Sequence, residues 1–178
     1  MIKPATDNQR PATNSSAGFT LMELVVVLAI MAVTALLVVP KLPATDSTEL
    51  RRSARALAAT LRYLQDRSIT AKTPHRIRFK PGTSAVSVSR LTQDGEERTG
   101  EAILDRPVLA EGVQVMDVFT PHSGRQSDGE ITLDFGPGGI ADFVTIHLRS
   151  AKGAFFTVMA YPASGKVTAL DGYQEEAR

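Results

Sequence analysis

The chain has 178 residues, with 20 Lys plus Arg against 19 Asp plus Glu, and its formal net charge of +1 excludes nucleic-acid binding by bulk charge alone. At 43% hydrophobic and 22% charged residues, it has the make-up of one globular domain with an appended segment rather than of a disordered chain. It contains no cysteine, which excludes a disulfide framework, a thiolate metal site and a cysteine nucleophile.

Residues 1–18 are polar, with Pro4, Pro11, Asn14, Ser15 and Ser16, and show no helical or strand period. From Phe19 to Val39 the chain is apolar apart from Glu23 and two threonines. As a helix this run would reach about 32 Å at ~1.5 Å per residue, close to the ~30 Å hydrocarbon layer of a bilayer. Pro40 then ends or kinks it. A secretory signal peptide has a shorter apolar core, and here Leu36-Leu37-Val38-Val39 continue past the one passable cleavage site, Val33-Thr34-Ala35. A plain single-span anchor fits the length but leaves Glu23 unexplained. A carboxylate in hydrocarbon costs about 2–3 kcal/mol even on lenient insertion scales, so Glu23 marks a functional site.

Pro40 and Pro43 bracket a short break, and Asp46 followed by Glu49 has the spacing of a capping pair. A helix over about 47–70 is expected, with Leu50, Ala54, Leu57, Leu61 and Leu64 forming one apolar stripe among arginines. The period changes to two after Thr73-Pro74. Strands are expected at 75–79, 85–91, 113–119, 131–135, 143–149, 154–160 and 166–170. Pro81-Gly82 and Asp94-Gly95 read as turns, while 92–101 and 122–129 read as polar loops. One amphipathic helix followed by short antiparallel strands is an α+β arrangement, with the helix laid across a sheet.

No catalytic constellation emerges. Asp134-Phe135-Gly136 copies a kinase tripeptide without its companion motifs, and Gly136-Pro137-Gly138-Gly139 lacks the Gly-Lys-Ser/Thr ending of a phosphate loop. That stretch reads as a turn whose glycines take positive φ. His75, His122 and His147 lie far apart, and His147, in an alternating strand, reads as a paired or solvated strand residue rather than a ligand. The carboxylates at Asp94, Glu96 and Glu97 and at Glu175 and Glu176 lack the calcium-loop pattern. The expectation is a non-enzyme with no cofactor and no metal site.

The junction Gly18-Phe19-Thr20-Leu21-Met22-Glu23-Leu24 resembles the processing signature of type IV prepilins and type II secretion pseudopilins. The resemblance implies a leader over 1–18, cut by a prepilin peptidase between Gly18 and Phe19, with N-methylation of Phe19. It implies a membrane or filament-core helix over 19–39, kinked at Pro40, and a globular pilin-like domain over 40–178. It also implies that Glu23 meets the charged terminal amine of a neighbouring subunit during assembly. Such a pair about 4 Å apart gains ~4 kcal/mol at an effective dielectric of ~20, before desolvation is subtracted. Lys3 and Arg10 in the leader suit a cytoplasmic side.

The second half is similar to the minor pseudopilin H and FimT/FimU group. It shares the order of helix, early strand and long polar loop, then Asp134-Phe135-Gly136-Pro137-Gly138-Gly139, two hydrophobic strands and the closing Gly165-Lys166-Val167. The group often has arginine where Lys166 stands. The resemblance implies a structural minor pseudopilin in the inner membrane, single-pass, with its domain in the periplasm. Its partners would be the other minor pseudopilins and the major one, near the tip of a filament that exports folded proteins. The alternative is a minor type IV pilin for pilus priming or DNA uptake. DNA capture needs a concentrated cationic patch, whereas the tail 171–178 carries three acids and one arginine. The basic spots left are His122 with Arg125 and the stretch Arg76–Lys80, and no nucleic acid is expected as a partner.

Overall fold

The computed structural model describes residues 20–38, 45–162 and 164–175, in two units that divide between Leu42 and Pro43. The first unit holds α1 (Leu21–Val38). Thr20 begins it: the Glu23 N–H donates to the Thr20 carbonyl at 3.0 Å and to Thr20 Oγ1 at 3.2 Å, which satisfies a donor that has no partner inside the helix. Thr34 donates its hydroxyl to the carbonyls of Ile30 and Met31, at 2.9 and 3.0 Å, so this polar residue sits in an apolar helix with its donor paired. Every side chain from Leu21 to Thr34 is exposed. Among the described residues, no helix is long and apolar enough to cross a membrane by itself. The 18 residues of α1 rise about 27 Å, a little short of the ~30 Å of a bilayer core. Phe19 and Val39, which complete the apolar run, lie outside the described residues.

The second unit opens with α2 (Thr45–Ala71). It starts ahead of Asp46, which corrects the expected cap: Asp46 is the second residue of the helix. The whole expected stripe of Leu50, Ala54, Leu57, Leu61 and Leu64 is buried. Ser53, Gln65 and Ser68 are buried as well, and each has a task. Ser53 Oγ accepts the Ala110 N–H at 2.9 Å, Gln65 Oε1 accepts the Ile140 N–H at 2.8 Å, and Ser68 Oγ pairs with His75 Nδ1 at 2.9 Å. Burial pushes the His75 imidazole below its ordinary value. Lys72, at φ 54°, takes the left-handed position that ends the helix, and Pro74 follows.

Ten strands follow: β1 (His75–Phe79), β2 (Val86–Thr92), β3 (Gly95–Arg98), β4 (Val113–Thr120), β5 (Gly124–Gln126), β6 (Ile131–Gly136), β7 (Gly139–Ile140), β8 (Val144–Ser150), β9 (Phe155–Ala160) and β10 (Val167–Asp171). They form two antiparallel five-stranded sheets, ordered β3-β2-β1-β6-β7 and β10-β9-β8-β4-β5. The seven expected strands are all present, displaced by a residue at some ends. The expected polar loops are corrected, since 92–101 contains β3 and 122–129 contains β5. Both are short edge strands, and β3 is exposed at every residue, so no hydrophobic alternation marked it. The glycine-rich turn at 136–139 is a hairpin that closes on β7, with Gly136 paired to Gly139, and of its three glycines only Gly139 takes the expected positive φ.

β1 and β6 alternate as expected: Ile77, Phe79, Ile131, Leu133 and Phe135 enter the core while Arg76, Arg78, Thr132 and Asp134 face outward. In β4 the register shifts between Val115 and Asp117. The extra residue lets Val115 and Val118 both reach the core and sets Asp117 opposite His147. β8 is buried on both faces, because Val144, Ile146 and Leu148 enter the core while Thr145 and His147 are covered from the other side.

Candidate assembly site and charged surfaces

Of the residues singled out by sequence, Gly18, Phe19 and Pro40 lie outside the described residues. Glu23 is the third residue of α1, and its side chain is exposed. The N-terminal turn favours a carboxylate at that place. Thr20-Leu21-Met22-Glu23 has capping-box spacing, and Thr20 Oγ1 makes half of that box. The sequence reading found a capping pair at Asp46 and Glu49 and missed this one, although Thr20 three residues ahead of Glu23 was its signal. Around Glu23 lie bare apolar groups: Leu21 is 81% exposed, Met22 72% and Leu24 55%. Val26, Ala29, Ile30 and Val33 continue this surface along α1. A helix apolar on all its faces needs a lipid or protein partner.

On the outer face of the first sheet, Arg76 makes a bidentate pair with Asp134, at 2.6 and 2.7 Å, and reaches Glu96 at 2.8 Å. Hydrogen bonds to Asp134, then to Glu96, hold its guanidinium well above the ordinary arginine range. Arg78 pairs with Glu96 and, at 3.2 Å, with Glu130, while Arg90 pairs with Glu97 at 2.9 Å. The two arginines of the basic spot expected over Arg76–Lys80 are therefore matched by acids from β3, β6 and the turn before it. Arg125, the cation of the other expected spot, is paired with Glu175 and lies 3.8 Å from Asp117. Its hydrogen bond to Glu175 raises the guanidinium and lowers the carboxyl.

A third feature went unforeseen. His147 is 1% exposed, with Nδ1 2.6 Å from Asp117 Oδ1 and Nε2 3.0 Å from the Gln174 carbonyl. Tyr173 stacks on its ring, with centroids 3.7 Å apart and planes 10° apart, and donates its hydroxyl to Asp117 Oδ2 at 3.1 Å. Burial, then Asp117, push the Tyr173 phenol up. An aspartate–histidine pair is two-thirds of a hydrolase triad, but a backbone carbonyl occupies the nitrogen that would activate a nucleophile. His147 is thus a paired strand residue. Among the described residues no three His, Asp or Glu are placed to hold a metal ion.

Residues 13–39 match the prokaryotic N-terminal methylation motif, a segment that includes Gly18, Phe19 and Glu23. Two solved structures of the minor pseudopilin EpsH from the Type 2 Secretion System of Vibrio cholerae share the fold. One is 20% identical at a TM-score of 0.55, over 69% of this chain and 97% of that one. The other is 18% identical at a TM-score of 0.58, over 71% and 98%. No curated protein matches the sequence. These neighbours are pseudopilins. The chain thus joins a prepilin-type methylation motif to a domain with the pseudopilin fold.

Proposed function

We propose that the protein is a structural minor pseudopilin of a type II secretion system. The observation that carries this reading is the union, in one chain, of the methylation motif over 13–39 with the fold of a minor pseudopilin. In this reading a prepilin peptidase cuts between Gly18 and Phe19, and Phe19 is N-methylated. The helix then sits in the inner membrane, kinked at Pro40, with the sheet domain in the periplasm. The apolar surface of α1 packs against other minor pseudopilins and the major one, and Glu23 meets a neighbour's terminal amine. Glu23→Ala is then cleaved normally but enters filaments poorly, and normal incorporation would remove the assembly role.

The test of the function is a strain lacking the gene, scored for exoprotein in the medium and for surface pili on the same cells. Lost secretion with intact pili is the expected outcome. Normal secretion with lost pili or lost DNA uptake would make the protein a minor type IV pilin instead. Against that second reading stand the ion pairs of Arg76, Arg78 and Arg125, which neutralise the cations a DNA backbone would need.

A further inference from the structure

After β10, residues 172–175 turn back over the outer face of the second sheet. Thr157 on β9 donates to the Gly172 carbonyl at 2.7 Å and accepts the Gln174 N–H at 2.9 Å. Tyr173 lies flat on His147, and Glu175 accepts from Arg125. Asp117, His147 and Thr157 stand side by side across β4, β8 and β9. The tail is therefore tied to four strands of the sheet, β4, β5, β8 and β9, and His147 is the tie on β8.

Both ring nitrogens of His147 face acceptors. The Gln174 carbonyl has no proton to give, and the Asp117 carboxylate already accepts from Tyr173 on its other oxygen. A neutral imidazole carries one N–H, so it can serve Asp117 or Gln174 and must turn a lone pair toward the other. The doubly protonated ring serves both. We propose that His147 makes the C-terminal tail a proton-dependent clasp: the ring with both protons ties Gln174 to β8, and loss of one proton releases that tie.

Among the described residues, the other charged or titratable groups on this face are Asp117 from β4, Arg125 from β5, Arg149 from β8, and Tyr173 and Glu175 from the tail itself. Arg125 and Glu175 stabilise each other's charged forms, and Tyr173 is held neutral. Glu175 also walls a cavity of about 390 Å³ lined by Phe119, Phe143 and Thr145.

The test is hydrogen exchange at the Gln174 amide in the full chain in detergent micelles, corrected for the intrinsic effect of pH. Protection should fall about tenfold as the pH rises from about 5.5 to about 8, and His147→Gln should abolish the dependence. Flat protection in the natural protein would overturn the proposal. Because the variant can fail to fold, the ¹⁵N shifts of the His147 ring in the natural protein give a second measurement. Two protonated nitrogens are expected at the pH where the tail is protected, and one where it is not. A ring with a single N–H throughout, under a tail that stays protected, would also overturn it.

Discussion

Gln65 and Gly139 touch so closely that a β-carbon on Gly139 would lie 2.3 Å from Gln65 Nε2 and 2.7 Å from its Cδ. Gln65 is buried in α2 and held there by the Ile140 N–H, so it has little room to yield. Gly139 also has φ +93°, a conformation that side chains resist. Gly139→Ala should therefore destabilise the domain by about 1–3 kcal/mol, read from urea unfolding of the full chain. Adding Gln65→Ala relieves the clash but not the strained φ, and it leaves the Ile140 N–H without its acceptor. The double variant should stay well below the natural protein. A neutral Gly139→Ala would show that this contact does not hold α2 to the β6–β7 hairpin.

Glu101 ties the loop before β4 to α2 through Tyr63 and, at 3.0 Å, through Arg67. The hydrogen bond from Tyr63, partly offset by burial and assisted by Arg67, holds the Glu101 carboxyl below its ordinary value. A carboxyl lowered in the folded state stabilises above its unfolded pKa of about 4.3 and loses that stabilisation as pH falls through the folded value. Tyr63→Phe should thus cost about 1 kcal/mol at neutral pH and progressively less below about pH 4. Unfolding both proteins at the two pH values checks this. An equal penalty at both would mean that the lost hydroxyl acts through something other than the Glu101 charge.

The arginines on the first sheet are silenced by named acids, which makes their silence reversible. The natural chain should give no gel shift with duplex DNA at moderate salt. Asp134→Asn combined with Glu96→Gln frees Arg76, and largely Arg78, and should produce weak retention that fades as salt rises. Firm, salt-sensitive binding by the natural protein would favour the pilus reading over secretion.

Thr20 fastens the first turn of α1, the turn that carries Glu23. Thr20→Ala should weaken that turn by about 1 kcal/mol, the usual worth of such a cap, and speed exchange of the Glu23 amide several-fold in micelles. Unchanged exchange would show that the backbone carbonyl of Thr20 suffices.

Amino-acid sequence by itself determined the local features of this protein. The apolar run broken by Glu23, the stripe from Leu50 to Leu64, the alternation of β1 and the glycine turn at 136–139 each rest on signals a few residues apart. A helical or strand period, or a glycine's freedom at positive φ, acts at that range. The cap at Thr20, three residues ahead of Glu23, is local in the same way. Tertiary structure alone decided the rest. Arg76 finds Asp134 58 residues away, and His147 finds Asp117 30 residues away. The bulge in β4 sets that second pair, and no period records it. Likewise β3 and β5 are polar edge strands, made by backbone hydrogen bonds to β2 and β4 rather than by any pattern of their own. A partner that lies far along the chain leaves no local trace, so the clasp at the C-terminus became visible only once the two sheets were assembled.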